Sequence, residues 1–331
     1  MDEVNVLAEK IKAGDRAALS RGITLCESDL PLHKSQAMFL LDLLYPATGK
    51  SIRIGVSGIP GAGKSTLIEA LGTYLIDFHQ KRIAVLAIDP SSEQSAGSIL
   101  GDKTRMEVLS KREEAFIRPS PTRAQLGGVA QQTQLAILLC EAAAYDIIIV
   151  ETVGVGQSEI AVNRMVDSFM LLQIVGAGDD IQAMKRGVLE WVDLVLFNKA
   201  DQGKEMQAKI EASHMTNALA LFPRKHPEWT VPVLSCSALE NRGIVAIWES
   251  IVSHQRHLER HNIFQQQRVD QMNNLLLSLE AQALRVFLEK HKTINALKEK
   301  NREEWKAKDA APFKILQTFT AHLKQLFPEQ A

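Results

Sequence analysis

The chain has 331 residues, and 38 Lys and Arg against 39 Asp and Glu leave a formal net charge of −1. With 46% hydrophobic and 23% charged residues it has the balance of a folded globular protein, which excludes wholesale disorder and collagen-like repeats. A chain this long buries roughly 75% of its unfolded surface without disulfide staples. Its near-zero charge removes the electrostatic case for a general nucleic-acid binder.

In chain order, residues 1–48 read as an N-terminal helical extension. Val4, Leu7, Ala8 and Ile11 recur at helical spacing before Gly14-Asp15, and Met38 to Leu44 form a second apolar stripe ended by Pro46 and Gly49. The opening Asp2-Glu3 puts acid where a signal or transit peptide needs basic residues. The most apolar stretch, Leu135 to Val150, is interrupted by Glu141, Tyr145 and Asp146 and is too short to span a bilayer. Cys26, Cys140 and Cys236 lie far apart with no CxxC pair, as expected of reduced thiols buried as small core residues. A cytoplasmic protein without membrane contact is therefore expected.

From 49 to 255 short β-rich runs alternate with helical patterns. The runs are Ile52–Ser57, Arg82–Ile88, Asp146–Thr152, Ser168–Val175, Leu194–Asn198 and Val231–Ser235, with helices near 64–79, 124–144, 204–222 and 243–258. Near-continuous apolarity marks parallel strands covered on both faces. The expected fold is therefore α/β, with a doubly wound, mostly parallel sheet. Residues 256–331 read as a C-terminal helical arm. There Val269, Met272, Leu276, Leu279, Ala283 and Val286 recur at 3-4-3-4-3 spacing, a seam suited to a homodimer.

The segment Gly58-Ile59-Pro60-Gly61-Ala62-Gly63-Lys64-Ser65-Thr66 fits GxxxxGK[ST], after an apolar run and before a helical pattern. Glycines let successive backbone N–H groups converge on phosphate oxygens, and the helix N-terminus adds its partial positive charge. Lys64 is expected to reach the β- and γ-phosphates and the Ser65 hydroxyl to ligate Mg²⁺. Asn198-Lys199-Ala200-Asp201 follows a later strand. The Asp201 carboxylate can accept from guanine's ring N–H and exocyclic amine, a donor pair that adenine lacks, which selects GTP over ATP. Asn198 can supply amide contacts, and the Lys199 stem can lie against the base. Ser235-Cys236-Ser237-Ala238-Leu239 ends the next strand, so that the backbone of Ser237, Ala238 and Leu239 would meet the guanine carbonyl.

Three acids complete the expected site. Asp89 and Glu151 end apolar runs, where ligands bind in open α/β sheets, and Asp102 lies in Gly101-Asp102-Lys103-Thr104-Arg105. Asp89 and Glu151 suit the Mg²⁺ side, while Asp102 suits the metal or the attacking water. The loop 90–105 and Gly154 to Gly156 suit switches that order around a γ-phosphate. Val155 occupies the position after Gly154 where Ras-like switches place Gln, and Gln157 stands two further on. Slow intrinsic turnover, accelerated by a partner, is expected.

With these residues placed, the chain resembles the MeaB/ArgK-type P-loop GTPases, relatives of human MMAA, over nearly its whole length. The resemblance rests on the blocks 58–66, 89–92, 97–106, 118–123, 126–130, 151–159, 176–180, 198–201 and 235–239. It implies a G domain with N- and C-terminal helical extensions. It also implies a homodimer, GTP/GDP and Mg²⁺ as ligands, and a chaperone role for an adenosylcobalamin-dependent methylmalonyl-CoA mutase. The segment 176–185 resembles the family's additional switch toward the mutase. A metal-delivering GTPase of the nickel-insertion type is one rival, for which only His254, His257 and His261 form a close group, read as a solvated helix face. A P-loop kinase or transport ATPase, and a nucleotide-dependent binding module that never hydrolyses, are the others.

Overall fold

The computed structural model describes residues 2–88, 106–120, 126–152, 157–176, 186–223, 225–226, 228–306 and 311–326. Three helices open the chain: α1 (Asp2–Lys12), α2 (Arg16–Glu27) and α3 (Pro31–Leu44). The Asp15 side chain accepts from the Ala18 backbone N–H at 2.9 Å, so the residue that closes the first apolar stripe also caps a helix not separately delineated by the pattern.

An alternating series follows: β1 (Ile52–Gly58), α4 (Lys64–His79), β2 (Ile83–Ile88), β3 (Ala115–Ser120), α5 (Leu126–Ala142), β4 (Ile147–Thr152), α6 (Gln157–Asn163), β5 (Ser168–Ile174), α7 (Arg186–Leu189), β6 (Leu194–Asn198), α8 (Glu205–Leu219), β7 (Val233–Ser235) and α9 (Ile244–Arg260). The seven strands form one sheet in the order β3-β2-β4-β1-β5-β6-β7, and every pairing is parallel. The expected doubly wound α/β sheet is thus present, with one strand more than the apolar runs identify. Strand β3 was hidden by Arg118-Pro119: proline cannot donate to a ladder, but β3 pairs only with β2, and an edge strand tolerates it.

Successive strand residues point to opposite faces and enter two cores. Ala84, Leu86, Ile148, Val150, Phe169, Leu171, Val195 and Phe197 pack with α1, α2, α3, α5 and α8. Ile83, Val85, Ile147, Ile149, Met170, Leu172, Leu194 and Leu196 pack with α4 and α9. This two-sided burial is why the runs read as continuously apolar. The N-terminal helices share the sheet's core through Ile11, Leu19, Ile23 and Leu40. Cys140 and Cys236 are buried, Cys26 is partly so, and all three are free thiols. Burial pushes the Cys26 and Cys236 thiols up to about 12, so neither is a nucleophile at neutral pH.

Three more helices complete the chain: α10 (Ile263–Lys290), α11 (Lys292–Lys306) and α12 (Pro312–Leu326). Contacts divide the molecule into two compact units, Met1–Met272 and Asn273–Ala331. In the second unit α11 and α12 pack on one another. The heptad pattern does lie on one continuous helix, α10, but its seam is not a buried one within the chain: Val269 is 51% exposed and Leu276 48%. Among the described residues no helix is long and apolar enough to cross a membrane.

Candidate nucleotide site

Strand β1 lies at the centre of the sheet, and the chain leaves its carboxyl end through the glycine loop into α4. Gly63, immediately before α4, takes a left-handed φ of +86°, and a Cβ there would lie 2.5 Å from Asn198 Nδ2. At Gly58 a Cβ would meet the Leu172 carbonyl oxygen at 2.4 Å. Both positions therefore require glycine for the loop to close over the sheet.

Lys64 Nζ donates to the Gly58 and Ile59 carbonyl oxygens at 2.8 and 3.1 Å, which holds a buried ammonium at the loop. Ala62 is buried, Ile59 and Gly63 half-buried, and Pro60, Gly61 and Thr66 exposed. Ser65 Oγ donates to Glu151 Oε1 at 2.9 Å. Glu151 lies on β4, whose register places it beside Val56 of β1. Behind it, Thr152 Oγ1 donates to Ser57 Oγ at 2.9 Å.

The structure thus brings Glu151 to Ser65, next in sequence to Lys64, and joins two motifs 86 residues apart. A hydroxyl and a carboxylate oxygen side by side are hard donors, the chemistry that Mg²⁺ takes alongside phosphate and water. The residues present fit that ion. Asp89, Asp102, the loop 90–105, Gly154 to Gly156 and residues 177–185 lie outside the described residues.

The two loops expected to read the base stand at the carboxyl ends of β6 and β7. Asp201 is buried, and Ser237 Oγ donates to its Oδ2, orienting the carboxylate. Ala200 N donates to the Cys236 carbonyl at 3.0 Å, and Arg242 Nη2 donates to the Ala200 carbonyl at 3.1 Å. Lys199 is exposed at a φ of +62°, leaving its stem available to stack. Ser237 and Ala238 are buried, whereas Leu239 is exposed.

Asn198 has a structural part in addition to the amide contact expected of it. Its Nδ2 donates to the Ala62 carbonyl at 2.8 Å, and its Oδ1 accepts from Ala238 N at 3.0 Å. The side chain therefore ties the glycine loop to the loops after β6 and β7 across 136 and 40 residues of sequence. Neither this brace nor the Ser237 and Arg242 supports have a local sequence signal, because each partner comes from another strand end. Their effect is to hold the glycine loop and the loops after β6 and β7 at a fixed separation.

The chain matches a family model, curated relatives and a solved structure. The family model "Methylmalonyl Co-A mutase-associated GTPase MeaB" matches residues 19–293. GTPase ArgK of Escherichia coli is 48% identical over 262 residues, 79% of each chain. The mitochondrial methylmalonic aciduria type A homolog of Caenorhabditis elegans is 36% identical over 323 residues, 94% of this chain and 81% of its own. A crystal structure described as LAO/AO transport system kinase superposes with a TM-score of 0.75 at 35% identity, covering 98% of both chains.

Proposed function

Because the chain belongs to the MeaB family of methylmalonyl-CoA mutase-associated GTPases, we propose that it binds GTP with Mg²⁺ and hydrolyses it slowly. We further propose that its GTP cycle gates adenosylcobalamin loading into a methylmalonyl-CoA mutase and protects that enzyme. The observation that supports GTP most is the Asn198 brace, which ties the glycine loop to the loop where Ser237 holds the buried Asp201 carboxylate. The mutase as partner rests on the family association.

In this reading the Gly58–Gly63 loop and the N-terminus of α4 receive the phosphates, and Lys64 exchanges its carbonyl partners for phosphate oxygens. Ser65, Glu151, Asp89 and Asp102 would hold or orient Mg²⁺, which when bound neutralises charge developing on the transferred phosphoryl group. Asp201 reads guanine, with Ser237, Ala238 and the Leu239 backbone closing the loop over it. Because 155 is valine, positioning of the attacking water is assigned to a partner-ordered switch, so turnover by the isolated protein is slow.

The deciding assay measures GTP and ATP turnover by the full chain, alone and with an adenosylcobalamin-dependent methylmalonyl-CoA mutase. GTP turnover that is slow alone and rises with the mutase is expected, with ATP unused. Equal use of ATP would overturn the base assignment, and a mutase that neither binds nor stimulates would overturn the chaperone role.

The three-part division at 48 and 255 and the homodimer belong to the same proposal. The exposed α10 seam at Val269 and Leu276, extended by Leu284 and Phe287, supports a second copy as its cover. Light scattering at micromolar concentration should give twice the chain mass; a monomeric mass would remove the dimer.

A further inference from the structure

A second cluster of chemically capable groups lies at the other end of the sheet. Asp193 precedes β6 and is 1% exposed. Its Oδ2 accepts from Phe169 N at 2.9 Å and from Lys225 Nζ at 2.8 Å. Its Oδ1 is buried without a hydrogen-bond partner and faces His254 Nε2 at 3.5 Å and His226 Nε2 at 3.7 Å. Both ring nitrogens are likewise buried and without a hydrogen-bond partner, in residues 2% and 9% exposed. All three atoms lie within 4.8 Å of one another.

These separations decide between two readings. Hydrogen bonds from N–H to oxygen cluster at about 2.9–3.0 Å and end near 3.2 Å, so 3.5 and 3.7 Å are too long. Ligands about 2.0–2.2 Å from a tetrahedral ion stand about 3.3–3.6 Å apart, close to what is found here. Three buried polar atoms aimed at one another and satisfied by nothing else call for a bridging group.

We propose that Asp193, His226 and His254 form a binding site for a divalent transition cation, with Zn²⁺ as the best fit. Two imidazoles and one carboxylate suit zinc rather than Mg²⁺ or Ca²⁺, and a water completes the tetrahedron. The supporting shell has the form such sites need. Ser168 Oγ lies 2.7 Å from His254 Nδ1 and fixes that ring, and Trp229 Nε1 donates to the Asp193 carbonyl at 3.0 Å. Burial holds both imidazoles down at about 4, so their lone pairs are available at neutral pH. The Lys225 ammonium on Oδ2, also bonded to Asn163 Oδ1 at 2.9 Å, opposes a cation and moderates its affinity.

The site changes the meaning of the histidines on α9. His254 turns inward and meets His226 from the α8–β7 connection, while His257 and His261 stay on the outer part of the helix. Asp193 and Ser168 mark the amino ends of β6 and β5, opposite Asn198, so the cation would staple α9 and the connection to the sheet far from the nucleotide.

The test titrates the metal-free full chain with Zn²⁺ by calorimetry and with Co²⁺ by visible absorption. One equivalent per chain, a tetrahedral Co²⁺ band and a melting temperature that rises until one equivalent is bound are expected. His226→Gln and His254→Gln should each abolish the band, and His257→Gln should keep it. Lys225→Met should bind Zn²⁺ more tightly, an effect that a purely structural Asp–His network would not produce. No saturable binding by the wild-type chain, or a full equivalent retained by folded His226→Gln, would overturn the proposal.

Discussion

Asp201→Asn should weaken GTP about 10²–10⁴-fold, because two hydrogen bonds to a charged acceptor contribute about 1.5–3 kcal/mol each. The same substitution should raise affinity for xanthosine triphosphate, whose base carries an oxygen where guanine carries its amine; the new amide can donate to that oxygen. The change is well suited to isolating base recognition. Asp201 is buried and held through Ser237 Oγ, and the Asn oxygen can still accept that hydroxyl's hydrogen bond. The fold and the phosphate loop therefore remain intact. Competition binding with a fluorescent GDP analogue would measure both nucleotides on one protein. Unchanged GTP affinity would remove Asp201 from the base site and, with it, the argument for GTP over ATP.

The parts of this site that sequence alone reveals are those whose chemistry demands contiguous residues. A phosphate loop needs its glycines, lysine and hydroxyl at set offsets, so Gly58 to Thr66 can be placed on a strand–loop–helix unit before any coordinates. The same holds for the β1 and β4 runs, which are apolar throughout because both faces are covered. What escapes is whatever depends on partners distant in sequence. The bracing part of Asn198 is invisible in its tetrapeptide and shows only when Ala62 and Ala238 are beside it. His226 carries no pattern at all, since its partners come from the turn before β6 and from α9. Strand β3 escapes for a different reason: Arg118-Pro119 cuts its apolar run short, which the sheet tolerates because β3 is an edge strand.

The second large effect is on stability and lies beneath the sheet, where Glu141 of α5 accepts from two arginines. Arg53 donates to it through Nε at 2.8 Å and Nη2 at 3.0 Å, and Arg268 of α10 through Nη1 at 3.0 Å. Gly49 N adds a fourth donor at 2.8 Å. Burial would raise this carboxyl, but Arg53, Arg268 and the Gly49 N–H together hold it below its ordinary value. Arg268 also reaches Asp167 Oδ2 at 2.7 Å and the Ser51 carbonyl at 2.6 Å, so the cluster fastens the first turns of α10 to β1 and α5. Glu141→Ala would leave two buried guanidinium groups short of their shared acceptor and should destabilise the first unit by about 3–5 kcal/mol. Replacing Arg53 by Met in that background should recover part of the loss, because it removes the guanidinium whose ion pair was with Glu141, while Arg268 keeps Asp167. Since the folded carboxyl sits below its unfolded value, its contribution is present above the ordinary carboxylate range and is lost as pH falls through the folded value. Urea unfolding followed by circular dichroism at pH 7 and pH 4 reads all three. A loss below about 1 kcal/mol for Glu141→Ala at pH 7 would show that water replaces the carboxylate, and that the cluster does not anchor α10.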